Sequence, residues 1–195
     1  MCCLRAVLTC WMAHYAAYQQ LFELQPALLA VVVADDIYSP ERKEITTGEA
    51  KTKAKAIKMM KCIKDALFWH AITQIKQHLE PLAFAANVTQ ATLCRIDTVL
   101  LTFGFLMMQY KSMMEDKDVW AVTTIIQSIK QRWAKYDQEI SITAMILNPF
   151  YKTTLFSYIP SLNNANVCTL LEHLYTCFFH CDPPPLFDDQ VTSYF

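Results

Sequence analysis

The chain has 195 residues, is 54% hydrophobic and 18% charged, carries a net charge of −1, and contains only two glycines, Gly48 and Gly104. Average usage of about 7% would give roughly 14 glycines. Neither G-x-G-x-x-G nor G-x-x-x-x-G-K-[ST] occurs, which excludes folds that cradle a nucleotide phosphate on glycine-rich backbone. A β-sandwich, with a turn every ~8–12 residues, is excluded on the same ground.

The apolar content is ample to offset chain entropy, so a folded rather than a disordered chain is expected. The longest apolar run, Pro26 to Ala34, is about half of the ~18 residues that a membrane helix needs. Leu4 to Leu8 reads as a brief strand or a helix start. From Thr9, a plausible N-cap, a helix pattern runs to about Leu24 with Met12, Tyr15, Gln19 and Phe22 on one face. Pro26 fits the first turn of a second helix through Ala34. Residues 35–48 are polar, contain Pro40 and Gly48, and read as a loop.

Glu49 to Glu80 is a long helical stretch with a break expected near Asp65. Its second half places Phe68, Ile72, Ile75 and Leu79 on one stripe, and Pro81 is expected to end or kink it. A helix over about Ala91–Met114 is expected to bury Ile96, Leu100, Phe103, Met107 and Tyr110. The next, about Val119–Glu139, shows the cleanest pattern: Val122, Ile126, Ile129, Trp133, Tyr136, then Ile140. Asn148-Pro149 is a break. A further helix covers about Asn164 to Phe179, with Val167, Leu170, Leu171, Leu174 and Phe178 inward. Pro183-Pro184-Pro185 then stiffens the chain, and the last ten residues show no obvious cap. The fold class expected is mostly α: a long-helix bundle with at most a few short strands.

The charge is unevenly spread. Lys51, Lys53, Lys55, Lys58, Lys61 and Lys64 stand against a single acid, Glu49, between residues 49 and 64, so this stretch is strongly basic and the remainder mildly acidic. Such a helix is either a contact surface for a polyanion or a solvated face.

Catalytic constellations are scarce. The acids Asp35-Asp36, Glu115-Asp116-Asp118 and Asp188-Asp189 fall in loops or on exposed helix faces, where solvation is the expected role. Two-metal nucleases need acids converging from different elements, and no apolar strand carries an Asp. Cys177, His180 and Cys181 stand at i, i+3, i+4, but without a second ligand pair they read as core cysteines beside a surface histidine. His14, His70, His78 and His173 have no Ser or Cys partner in a recognisable nucleophile motif. Trp120, Trp133 and Tyr136 read as an aromatic core stripe. The eight cysteines, Cys2, Cys3, Cys10, Cys62, Cys94, Cys168, Cys177 and Cys181, lie mostly in apolar patterns, with no signal-peptide pattern ahead of them. An intracellular, reduced protein is expected. The adjacent Cys2 and Cys3 are a weak acylation signal.

Three stretches resemble the hAT-type DNA transposases, and particularly their fungal copies. The first is Leu8-Thr9-Cys10-Trp11 with His14-Tyr15 and Leu21–Leu28 (LFELQPAL). The second is Leu67-Phe68-Trp69 through Leu79-Glu80-Pro81-Leu82 to Asp97–Phe105 (DTVLLTFGF). The third is Ile129–Trp133 (IKQRW) with Ala144–Tyr151 (AMILNPFY). They occur in family order over about residues 8–160. The resemblance implies the helical insertion of an interrupted RNase H-like fold. It further implies a fragment: two of the three metal-holding acids would precede Trp11, and the third has no assigned counterpart at Asp188 or Asp189.

The layout expected is therefore 1–34, the "R-W" segment and first helices; 35–48, loop; 49–181, insertion-like bundle; and 182–195, Pro-rich tail and short C-terminal segment. No catalytic residue and no metal ligand is assigned, and no cofactor is expected, although full-length family members would use a divalent metal such as Mg. Trp11 matches a family tryptophan associated with stacking on an extruded base, its alternative role being a buried helix anchor. The partner arginine is replaced by Cys10, which removes a cation. Lys51, Lys55 and Lys58, on one helix face, are the candidate phosphate contacts. DNA is the expected partner, with a protein or a second copy docking on exposed apolar faces as the alternative. Neither a membrane nor a small-molecule substrate is expected. The resemblance implies a nuclear location, and exposed apolar faces predict poor solubility in isolation.

Overall fold

The computed structural model describes residues 11–39, 42–113 and 118–194. Among them are eight α-helices and no strand: α1 (Trp11–Ile37), α2 (Ala50–Lys64), α3 (Ala66–Thr89), α4 (Ile96–Ser112), α5 (Val119–Lys135), α6 (Gln138–Ile146), α7 (Asn164–Phe179) and α8 (Phe187–Tyr194). Two short 3₁₀ turns, Thr154–Phe156 and Pro160–Leu162, precede α7. The mostly-α expectation holds. The expected run at 4–8, the Thr9 cap, Cys2, Cys3 and Cys10, Pro40, and Glu115-Asp116 lie outside the described residues. The chain divides into two compact units, Met1–Phe84 and Ala85–Phe195.

In the first unit, the two helices expected on either side of Pro26 are one. α1 runs through Pro26 without interruption. A proline in a helix interior costs about 3 kcal/mol through its missing N–H and its clash with the preceding turn. Packing on both sides outweighs this. Before the proline, the Phe22 ring lies 6.0 Å from that of Trp69; after it, Val32 and Asp35 are buried. α3 likewise continues through Pro81, which is itself buried, with Ala83 buried two residues on. The break near Asp65 is where it was expected. The Asp65 carboxylate accepts from Leu67 N–H at 2.9 Å, which starts α3.

Asp35 corrects the expectation of a solvated acid pair. It is only 2% exposed. Its carboxylate accepts from the backbone N–H groups of Glu44 (3.0 Å) and Ile45 (2.9 Å) and from the Thr46 hydroxyl (3.2 Å). These bonds, led by that from Ile45, hold the Asp35 carboxyl below the ordinary aspartate value, with Lys43 adding charge attraction. The loop from 42 to 48 is thus fastened to the end of α1. Gly48 closes it at φ +87°, a conformation costly for any residue with a Cβ.

In the second unit, α4 starts at Ile96 rather than Ala91, and Ile96 is exposed. Its buried line is Asp97, Thr102, Leu106 and Tyr110. α5 buries Val122, Ile126 and Ile129 as expected but stops at Lys135. Asp137 then caps α6, accepting from Ile140 N–H at 3.2 Å. The expected continuation through Tyr136 and Ile140 is therefore broken, and both side chains are exposed. The aromatic stripe is divided too: Trp133 packs on Phe103 (5.3 Å) and Tyr136 (6.0 Å), whereas Trp120 is 83% exposed.

α7 has the expected bounds, with the Asn163 side chain accepting from Asn166 N–H at its start. Val167 and Leu171 are buried with Ile146, but Phe178 is exposed, as are Cys177 and Cys181, expected as core cysteines. The C-terminal segment is not a bare tail. In α8, Phe187 and Val191 pack on the Ile146–Val167–Leu171 cluster. Lys152 Nζ donates to Tyr194 O (2.6 Å) and sits over the Tyr194 ring, while the Tyr194 hydroxyl donates to Leu147 O (3.1 Å).

Candidate nucleic-acid interface

α2 alternates lysine with alanine in its first half and takes up hydrophobic residues in its second. Both are good helix formers, and Lys61 and Lys64 in the last turn oppose the negative end of the helix dipole. At 100° per residue, Thr52, Ala56, Met59, Met60 and Ile63 form one stripe. This stripe faces Leu28, Val31 and Val32 of α1, and Met60 is buried there. Three further contacts fix α2. The Trp69 indole N–H donates to Ile63 O at 2.7 Å, the Asp65 N–H bonds Cys62 O, and Lys64 pairs with Asp36.

The lysines fall on the two flanks of that stripe. Lys51, Lys55 and Lys58 occupy one face at i, i+4 and i+7, and all three are exposed. They span about 10 Å of helix axis. Lys53, Lys61 and Lys64 occupy the other flank. Among the described residues, only Lys64 of these six is in an ion pair. The stem of Lys55 lines the α1–α2 groove, an apolar cleft of about 400 Å³, while its residue remains exposed. Long cationic side chains commonly divide themselves in this way between apolar surface and water.

Trp11 opens α1, and its side chain lies outside the described structure. Roughly 25 Å of helix separates it from Leu28, the first residue of α1 on the groove. The four expected contact residues therefore divide, with three on one face of α2 and one at the far end of α1. Among the described residues no group of three or more His, Cys, Asp or Glu side chains is placed to hold a metal ion.

The residues that carry the sequence resemblance hold the helices together. The Tyr15 hydroxyl donates to Glu80 Oε1 at 3.1 Å, joining the first stretch to the second. Burial first, then the Glu80 hydrogen bond and charge, raise the Tyr15 phenol above its ordinary value. Phe22 and Trp69 join the same two stretches. In the second unit, Asn148 donates to Asp97 Oδ2 at 2.6 Å across 51 residues. Arg95 grips both Asp97 oxygens (3.1 and 2.8 Å), and Asn148 Oδ1 accepts from Phe150 N–H at 3.0 Å. Asp97 is thus a buried, fully engaged acid that the sequence reading placed only within a motif. The local signal for it was its position in the first turn of a helix, two residues after an arginine. No protein-family model, curated protein or solved structure matches the chain.

Proposed function

We propose that this chain is a DNA-backbone-binding helical segment of the hAT-transposase type, without cleavage chemistry of its own. The observation that supports this reading is the row Lys51, Lys55 and Lys58. Three ammonium groups on one helix face, in no ion pair among the described residues, offer a track for phosphates. Such contacts position a protein on a duplex without reading its sequence. Trp11 belongs to the same proposal as a base-stacking residue, and a nuclear location follows from it.

The test is duplex binding by fluorescence anisotropy across a salt series. Each neutralised phosphate contributes about −0.9 to the slope of log affinity against log salt, so replacing all three lysines by Ala should flatten it by about 2.7. An unchanged slope, or no binding, would leave a second reading: a protein-interaction scaffold with no enzyme activity. The apolar α1–α2 groove, with lysines on both flanks, favours an acidic amphipathic helix as the partner in that case. Metal-dependent nicking by the purified chain would overturn the absence of cleavage chemistry.

A further inference from the structure

α6 and α7 bring together a thiol, an imidazole and a carboxylate that the lysine face does not involve. His173 and Cys177 stand one turn apart on α7, with Cys177 Sγ 3.5 Å from His173 Nε2. The other ring nitrogen, Nδ1, lies 3.0 Å from Glu139 Oε2 on α6. Sequence motifs gave His173 no nucleophile; the helical i, i+4 spacing supplies one, and the packing of α6 supplies the carboxylate. A carboxylate on Nδ1 fixes the tautomer that leaves Nε2 free to accept the thiol proton.

Cys177 also lines an open groove of about 560 Å³, within the range of ligand clefts. Its walls include Leu147, Leu171, Leu174, Phe178, Phe179 and Val191, and no charged side chain lines it. Phe178 and Leu147 are exposed although large and apolar. The apolar lining, with a thiol held by an imidazole in its wall, points to an occupant that is apolar along its length and bears one electrophilic carbon.

We propose that Cys177 is an S-acylation site that accepts a long-chain acyl group from a thioester donor. His173 takes the proton from Cys177, and the sulfur electron pair forms the new bond to the donor's carbonyl carbon. The carbonyl carbon's bond to the donor sulfur then breaks, and the leaving thiolate takes the proton from His173. One thioester replaces another, with no oxidant or reductant. The acyl chain lies in the groove.

The test uses the purified full chain with an alkyne-tagged palmitoyl thioester of coenzyme A, reading hydroxylamine-sensitive label against time. Cys181, also exposed and four residues further on, is the internal control for indiscriminate thiol labelling. Cys177→Ser should remove nearly all label, whereas Cys181→Ser should leave the initial rate within about twofold. His173→Gln should slow labelling by about 10². Added imidazole should restore part of the lost rate, a rescue that loss of packing alone would not allow. A two-carbon acyl thioester should label much more slowly than the sixteen-carbon one. Equal labelling of Cys177 and Cys181, or equal rates for short and long chains, would overturn the proposal. Cys177 and His173 are both exposed, so these variants should fold, and unchanged thermal melting checks that they do.

Discussion

The two units are built on different principles. In the second, Tyr110, Val122, Ser141, Met145, Ile146 and Val167 are fully buried; in the first, no described side chain of comparable size is. The first unit is instead fastened at points: the loop bonds of Asp35, the Lys64–Asp36 pair, the Trp69–Ile63 bond and the Tyr15–Glu80 bond. Point fasteners leave helix faces uncovered, and the first unit retains both its lysine rows and an apolar cleft. A closed core stabilises by area removed from water, and the second unit combines one with an open groove beside Cys177. The contrast assigns stability mainly to the second unit and the cationic surface to the first.

Matched deletions test this most severely. Ile146→Ala should destabilise by about 4 kcal/mol, because the side chain is fully buried at the centre of the Val167–Leu171 cluster. Met60→Ala should cost about 2 kcal/mol, because Met60 borders an open cleft, so its removal enlarges existing space instead of creating an enclosed cavity. Urea unfolding of both variants checks the order. If Met60→Ala costs as much as Ile146→Ala, the contrast is wrong.

Asn148→Ala comes next. It removes the amide that reaches Asp97 across 51 residues, although Arg95 still compensates the acid. The expected loss is about 2 kcal/mol, the usual cost of breaking a buried hydrogen bond to a charged group. A loss below about 0.5 kcal/mol would show that Arg95 alone satisfies Asp97, making the Asn148 link between the two motif stretches dispensable.

The first unit's fasteners should respond to pH. The Asp35 carboxyl is held below the ordinary aspartate value, so the folded state favours the charged form. Its stabilisation is complete above the unfolded value of about 3.9 and is lost as pH falls through the lower folded value. The Ile45 and Glu44 amides should accordingly lose hydrogen-exchange protection on acidification, after correction for intrinsic rates. Asp35→Ala should expose them at neutral pH. Tyr15 has the opposite sign: its contribution is present below about pH 10 and lost as pH rises through the raised value.

Where the sequence was readable, a local cause was sufficient. Asn163 caps α7 through its own side chain, and Val167 and Leu171 follow at helical spacing, so α7 was legible at both ends. Pro26 and Pro81 were misread because the local cost of proline is overridden by packing on residues distant in sequence. Asp35 was misread because its donors come from nine and ten residues away. α8 has acids in its first turn, Asp188 and Asp189, but these read as a solvated pair because Phe187 and Val191 find their place only against Ile146, Val167 and Leu171. The lysine row was legible in full, since a charged helix face needs no partner. Glu139 beside His173 was not, because two helices must pack before the pair exists.

Trp120 gives the smallest effect and the finest test of where the second unit's core ends. Read as one core stripe with Trp133, it stands thirteen residues away, about 220° around the helix, and is 83% exposed, while Val122, two residues later, is fully buried. In a helix, residues two apart face directions about 200° different, so Val122 inside places Trp120 outside. Trp120→Ser should therefore change stability by less than about 0.5 kcal/mol, as is usual for a surface substitution. A loss of 2 kcal/mol or more would mean that Trp120 is covered in the folded protein, which would extend the second unit's closed core to the first turn of α5.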